Sequence, residues 1–246
     1  MIISGVTLTG VTVVDGQLPI TENLQVYLSP DSYPGTGTTW TDSQGQASAT
    51  LSGSPVYDPT TGFTFDGTTQ YARMPSVDGA TDFNNNNNYT VEIWFKPSSG
   101  QPSATLATVF EKWNSAGQSR YPYVFRYNES IETIGISVYD GVNNPGSFMA
   151  GFNTGTWHQV VGVFDFNTDD LMGYHNGSAD TSTSLAGVGA VSNTSQVGLA
   201  HRIPPGGIGT QFLYKGSMGI IRIYNRALTS AEILQNFNAD RSRFGI

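Results

Sequence analysis

Carboxylates are the first place to look for chemistry, because two of them facing one cleft can hydrolyse a glycosidic bond. Retention needs the pair about 5–5.5 Å apart and inversion about 6.5–9.5 Å. Glu92 stands in the run Tyr89-Thr90-Val91-Glu92-Ile93-Trp94-Phe95, and Glu129 and Glu132 stand three residues apart. Side chains alternate between the faces of a strand, so Glu92 is expected to point outward into solvent from a strand whose other face is buried. The same rule sends Glu129 and Glu132 to opposite faces. No pair is placed to share a cleft, and the chain is expected not to be an enzyme.

Other catalytic arrangements are weaker still. The histidines fall in a strand pattern (His158), at a hairpin end (His175) and in a loop (His201), and no two have the spacing of zinc ligands. No Gly-x-Ser-x-Gly elbow occurs, and Gly206-Gly207-Ile208-Gly209 has neither the Lys nor the following helix of a phosphate cradle. The sequence contains no Cys, which removes disulfides, thiolate nucleophiles and thiolate metal ligands together.

Binding chemistry is better represented. The loop Asp165-Phe166-Asn167-Thr168-Asp169-Asp170 places Asp165, Asn167, Asp169 and Asp170 partly at i, i+2 and i+4. That suits calcium, a hard cation taking six to eight oxygen ligands, although the loop lacks the sixth-position Gly and final Glu of an EF-hand. A polar hairpin loop closed by Asx turns accounts for the same residues. Sugar binding calls for aromatic faces to stack on and for Asn, Asp or Arg to meet hydroxyls. Trp113, Asn114, Arg120 and Tyr121 offer these types in one segment, and Tyr139, Asn143 and Asn144 offer them in a second, both on loops. These seven are the candidate glycan contacts, although strand-end aromatics also serve to finish a core.

The elements that must hold these residues read almost entirely as strands. Period-two alternation recurs in Leu24-Gln25-Val26-Tyr27-Leu28, Gly62-Phe63-Thr64-Phe65, Tyr89 to Phe95, Tyr123 to Tyr127, Ile134 to Tyr139 and Trp157 to Phe164. Asp66-Gly67, Asp140-Gly141 and Asn176-Gly177 mark turns between them. One helix is marked by the capping box Thr229-Ser230-Ala231-Glu232, after which Ile233, Leu234 and Phe237 are expected to form its packing face. The asparagine run 84–88 reads as a surface loop. Many short strands with turn signals and a single terminal helix indicate an all-β, antiparallel sandwich or jelly roll.

Composition agrees with one large folded domain. The 246 residues include 4 Trp, 12 Tyr and 13 Phe, ample for a packed interior despite only 12% charged residues. Neither a secretory signal nor a membrane span is readable in the first thirty residues. A net charge of −8 excludes a general nucleic-acid binder, which needs a basic face. The charge is uneven: residues 202–246 carry six basic and two acidic residues, whereas 1–201 carry five and seventeen. Pairing between tail and body is the first expectation, and assembly with copies of the chain or an acidic partner is the alternative.

An ordered series of blocks carries a family resemblance. Tyr33-Pro34-Gly35 through Trp40-Thr41-Asp42, Phe63 to Gly67, Tyr89 to Pro97, Gly155 to Val160, Tyr174 to Gly177 and Gly219 to Thr229 together resemble the laminin-G-like, pentraxin-like modules of the concanavalin A-like lectin/glucanase superfamily. The resemblance runs from about residue 22 to 237. It implies a jelly roll of two curved antiparallel sheets, here spanning 21–246 with the short C-terminal helix, after an arm or extra strand over 1–20. It does not imply one function, since fold and site vary independently. The catalytic Glu-x-Asp-x-Glu pattern of the glucanase branch is missing.

The ending Phe237 to Ile246, with a start rich in Gly, Thr and Val, resembles versions of this module in tailed-bacteriophage virion proteins. That second resemblance implies a virion location, on the capsid surface or tail, with other virion proteins and copies of the chain as partners and a host-surface glycan as a further one. Capsid decoration, head-fibre and tail-associated roles all fit it. The alternative is an extracellular or surface carbohydrate-binding lectin or adhesion module, with or without calcium. Neither setting calls for nucleic acid or membrane insertion.

Overall fold

The computed structural model describes residues 17–84, 87–113, 120–203 and 212–246. Residues 1–16 of the expected arm, Asn114 and the loop Gly206–Gly209 lie outside the described residues. In chain order the first strands are β1 (Leu24–Leu28), β2 (Thr39–Trp40), β3 (Ala49–Ser52), β4 (Val56–Asp58), β5 (Gly62–Asp66) and β6 (Tyr71–Met74). Next come β7 (Tyr89–Pro97), β8 (Ala107–Glu111), β9 (Tyr121–Asn128), β10 (Thr133–Tyr139) and β11 (Gly146–Ala150). The last are β12 (His158–Asp165), β13 (Asp170–His175), β14 (Ser178–Ser184), β15 (Val197–Leu199) and β16 (Lys215–Tyr224), followed by helix α1 (Ser230–Asp240).

The strands form two antiparallel sheets. The first has the order β14-β13-β12-β7-β16-β5-β4, and β1 pairs with β16 beyond the reach of β5. The second has the order β11-β10-β9-β8-β15-β6-β3-β2. Sequence neighbours such as β12 and β13 are joined by tight turns, while β7 pairs β16 across more than a hundred residues. Asn176 and Gly177 at the β13–β14 turn both take positive φ, 49° and 78°, as a type I′ hairpin requires. The expected jelly-roll sandwich with one short C-terminal helix is the observed fold.

Inward residues of both sheets make the main core, with Trp40, Phe63, Phe65, Tyr89, Phe95, Phe125, Ile136 and Ile223 inside it. A second apolar layer lies on the outer face of the first sheet. There α1 and the residues after it cover Trp94, Trp157, Val161, Tyr174 and Ile220. Phe244 stacks on Trp94 with ring centres 4.5 Å apart. The capping box is present, Thr229 accepting from Glu232 N and Glu232 accepting from Thr229 N. Its packing face differs from the expected one: Ile233, Asn236, Ala239 and Asp240 are buried, whereas Leu234 is 46% exposed. The polar members of that face are used on a buried charge beneath.

That charge is Glu92, and its expected solvated position is a correction. Glu92 does point away from the main core, but α1 lies over that face and the side chain is fully buried. It accepts from Arg222 Nη1 at 3.0 Å, Gln159 Nε2 at 2.9 Å, Trp94 Nε1 at 3.1 Å and Asn236 Nδ2 at 2.8 Å. Arg222 Nη1 also donates to Asp240 at 2.6 Å. Burial disfavours the guanidinium charge, but Asp240 and Glu92 outweigh it and raise its pKa. Alternation identifies which face a residue takes and is silent on what covers that face.

Glu129 and Glu132, expected on opposite faces of a strand, lie off any strand. Glu129 opens a 3₁₀ turn over Glu129–Ile131, and Glu132 follows it with φ 50°. The tail does pair with the body, through Arg202–Glu111, Arg222–Glu92 and Arg243–Asp31. Upstream, Ile20 N donates to Asn236 Oδ1 at 2.7 Å and Gln235 Nε2 donates to Leu18 O at 2.7 Å, so residues 18–20 run along α1. Among the described residues no helix is long and apolar enough to cross a membrane.

Candidate functional site

Among the described residues no helix covers the outer face of the second sheet, and its register lines up two rows of outward residues. Pairing places Thr108, Arg126, Gly135 and Phe148 side by side across β8, β9, β10 and β11. The next row holds Arg73, Gly198, Glu111, Val124, Ser137 and Gly146. Between them lies an open groove of about 300 Å³, floored by Val124, Gly135, Ser137 and Gly146 and rimmed by Leu106, Asn128, Ile131 and Asn144.

Glycine shapes this floor. A Cβ on Gly135 would sit 2.9 Å from the Phe148 ring and one on Gly146 would sit 3.2 Å from it, so the ring lies over two strands that carry no side chain there. Glycine within a strand commonly marks such a close approach. Phe148 is 70% exposed and Ile131 64% exposed, leaving an apolar platform open to solvent.

One end of the groove is aromatic and cationic. Trp113 and Tyr121 stack with centres 5.0 Å apart, and Tyr121 meets Tyr139 at 5.6 Å. Tyr121 donates its hydroxyl to Asn144 Oδ1 at 3.0 Å, and burial raises its pKa. The Arg202 guanidinium lies between the rings of Trp113 and Phe212, at 4.1 and 4.4 Å. Glu111, buried on β8, accepts from Arg202 Nε at 2.8 Å and Arg126 Nε at 3.0 Å. His201, whose ring lies against that of Tyr71 with centres 4.3 Å apart, is held neutral, burial pushing its pKa down to about 3.

The candidate glycan contacts are thus mostly brought together. Trp113, Tyr121, Tyr139 and Asn144 converge at this end, and Arg120 precedes Tyr121, its carbonyl accepting from Asn193. Asn143 is used as a brace, its Nδ2 donating to Asp140 Oδ2 at 3.0 Å and Gly187 O at 2.9 Å. Asp140 also accepts the amides of Val142, Asn143 and Gly189; burial opposes its charge, but these donors hold its pKa well below the carboxylate range. Sequence reasoning missed Glu111, Arg126, Arg202 and Phe148. The in-strand glycines Gly135 and Gly146 were the available signal for Phe148; the ion cluster joins segments up to 91 residues apart and left none.

The candidate calcium residues are less gathered. Asp165 Oδ1 accepts from Asn88 Nδ2 at 2.7 Å and from the amides of Asn167 and Thr168, closing the β12–β13 turn. Asp170 pairs with Asp165 in the ladder, and Asp169 takes φ 57° between them. Among the described residues no three His, Asp or Glu side chains are grouped to hold a metal. Two histidines without ligand spacing do meet: His158 Nδ1 lies 3.0 Å from His175 Nε2 through cross-strand packing.

Comparison with known proteins places the fold. No curated protein matches the sequence. Among solved structures, the botulinum neurotoxin serotype G binding domain superposes with TM-score 0.67 at 12% identity, over 87% of this chain and 50% of that one. The binding domain of Paraclostridial Mosquitocidal Protein 1 gives 0.63 at 12%, over 88% and 52%. A Trypanosoma rangeli sialidase gives 0.68 at 15%, over 95% and 36%. This chain therefore spans about half or less of each, and at such identity the likeness is one of fold. The family model described as the concanavalin A-like lectin/glucanases superfamily matches residues 66–234, well over half of the sequence. With that match and the two-sheet jelly roll, the chain belongs to the concanavalin A-like lectin/glucanases superfamily.

Proposed function

We propose that this domain binds a glycan chain in the groove of the second sheet and does not cleave it. The observation that carries the reading is the Phe148 ring laid over Gly135 and Gly146, an exposed flat platform beside hydrogen-bonding side chains. Sugars present an apolar C–H face and a polar rim, and a ring flanked by Asn128, Asn144 and Ser137 suits both. Binding domains and a sialidase among the similar folds are in keeping with it.

Hydrolysis would need a second carboxylate across the cleft. Glu111 is held by two arginines, and Glu129 beyond Asn128 accepts the amides of Gly100 and Gln101 at 2.6 and 2.8 Å. Asp140 at the other end is closed by backbone donors as well. These groups serve the scaffold, which supports a non-enzymatic role.

The test is a glycan array probed with the wild-type chain and with Ser137→Trp, which fills the floor. Binding lost in the variant supports the reading; equal binding by both places the site elsewhere. For the setting, the terminal segment's resemblance to tailed-phage virion modules supports display on a particle, where many copies raise the avidity of a weak site. Mass spectrometry of purified particles tests this, and absence of the chain from them would turn the reading to an extracellular lectin. Calcium at Asp165, Asn167, Asp169 and Asp170 is tested by repeating the array with chelator.

A further inference from the structure

Among the described residues, the guanidiniums beside the groove outnumber the carboxylate they share. Glu111 is the carboxylate between Arg126 and Arg202. Two guanidiniums therefore share one carboxylate among the described residues. The acids near the groove's ends do not make up the difference, because Glu129 and Asp140 are turned onto backbone amides. Burial, reinforced by Arg126, pushes the pKa of Arg202 down even with Glu111 bound to it.

The hydrogen bonding is incomplete in the same place. Arg202 Nη2 is buried and has no hydrogen-bond partner among the described residues. Arg126 Nη2 lies 3.0 Å from Glu111 Oε2, close enough for an ion pair but without the alignment of a hydrogen bond. Buried guanidinium donors without acceptors are rare, because each forgoes its hydration without replacement. Both side chains keep a solvent-facing part, 18% of Arg126 and 11% of Arg202, while Nη2 of each stays covered, so an incoming anion first meets the exposed remainder of Arg126 on the groove wall. Arg126, Gly135 and Phe148 are register neighbours on three successive strands and the Phe148 ring lies over Gly135, which sets Arg126 about 5 Å, one strand spacing and roughly one sugar, from the strand beneath the ring.

We infer that the glycan bound in this groove is an acidic one, whose anionic oxygens are taken by Arg126, with Arg202 behind it, while a neighbouring sugar stacks on Phe148. The inference rests on the glycan-binding reading above. A planar guanidinium matches carboxylate and sulfate alike, so the recognised chemistry is a two-oxygen anion on a sugar.

Calorimetry on the full chain separates the cases with oligogalacturonate against its methyl ester, and dextran sulfate against dextran. The expected result is that an acidic member binds about ten- to a hundredfold more tightly than its neutral partner. The carboxylated pair responding assigns a uronic-type sugar, and the sulfated pair responding assigns a sulfated one. Affinity should fall as salt rises, a readout that needs no variant. Arg126→Gln should remove the acidic preference, with a melting curve showing it folded; Arg126→Lys, which keeps charge but loses the fork, should recover only part. Equal, salt-insensitive binding of acidic and neutral partners overturns the acidic-ligand inference and leaves glycan binding standing. Failure of the wild-type chain to bind any glycan on the array overturns both.

Discussion

Replacing Phe148 by Ala removes the platform while leaving the fold standing, and its effect can be worked from the exposure of the ring. A buried phenylalanine contributes roughly 200 Å², so a ring that is 70% exposed offers about 140 Å² to a ligand. A hexose lying on one face covers about half of that, ~70 Å², worth ~1.8 kcal/mol at about 25 cal/mol per Å². At about 1.4 kcal/mol per tenfold, the affinity for the bound glycan should fall about twentyfold. The covered part of the ring, about 60 Å², limits the stability loss to roughly 1.5 kcal/mol. Titration calorimetry with the best array ligand reads the first quantity and urea unfolding the second. Gly135→Ala gives an independent route, since its Cβ would meet the ring at 2.9 Å and tip it from its seat. Affinity within about twofold of wild type in Phe148→Ala would falsify the stacking argument, because ~70 Å² of lost contact predicts far more.

Three further outcomes test the scaffold. Arg222→Met leaves Glu92 and Asp240 buried without their cation and should cost about 3–5 kcal/mol, read as a lower urea midpoint; an unchanged midpoint would show the ion triad to be dispensable. His201 has its pKa pushed down by burial to about 3, so the unfolded chain takes up its proton first; its contribution is complete above about pH 6.5 and is lost as pH falls towards 3. The wild type should therefore lose stability over that window faster than His201→Phe, and parallel pH curves would refute the assignment. Asp165→Ala removes the acceptor for Asn88, Asn167 and Thr168 and should lower stability by about 1–2 kcal/mol, equally with calcium or chelator; a loss seen only with calcium would mark the carboxylate as a ligand.

Much of this protein follows from local rules in the chain. Alternating residues in Tyr89–Phe95 and Thr133–Tyr139, the Asn176-Gly177 turn and the Thr229–Glu232 cap act over a few residues, and each element formed where its own pattern placed it. The ordered blocks were enough for the family. β14 escaped, because Ser178–Ser184 has no apolar alternation and is a strand through its pairing with β13. Four of the aromatic and amide glycan candidates, Trp113, Tyr121, Tyr139 and Asn144, are gathered in space, although Tyr121 opens β9 and Tyr139 closes β10 where loop positions were expected.

Tertiary structure alone decided what each outward face meets. Glu92 and Arg126 both point away from the main core, yet one is sealed beneath α1 and the other lines an open groove. Nothing within either strand distinguishes them, because burial of an outer face depends on which distant segment is laid over it. The same holds for Glu111, whose partners come from Arg126 on the next strand and Arg202 beyond β15. Periodicity sets direction along a strand; long-range register and the path of the C-terminal helix set environment, and the chemistry of this site lies in the environment.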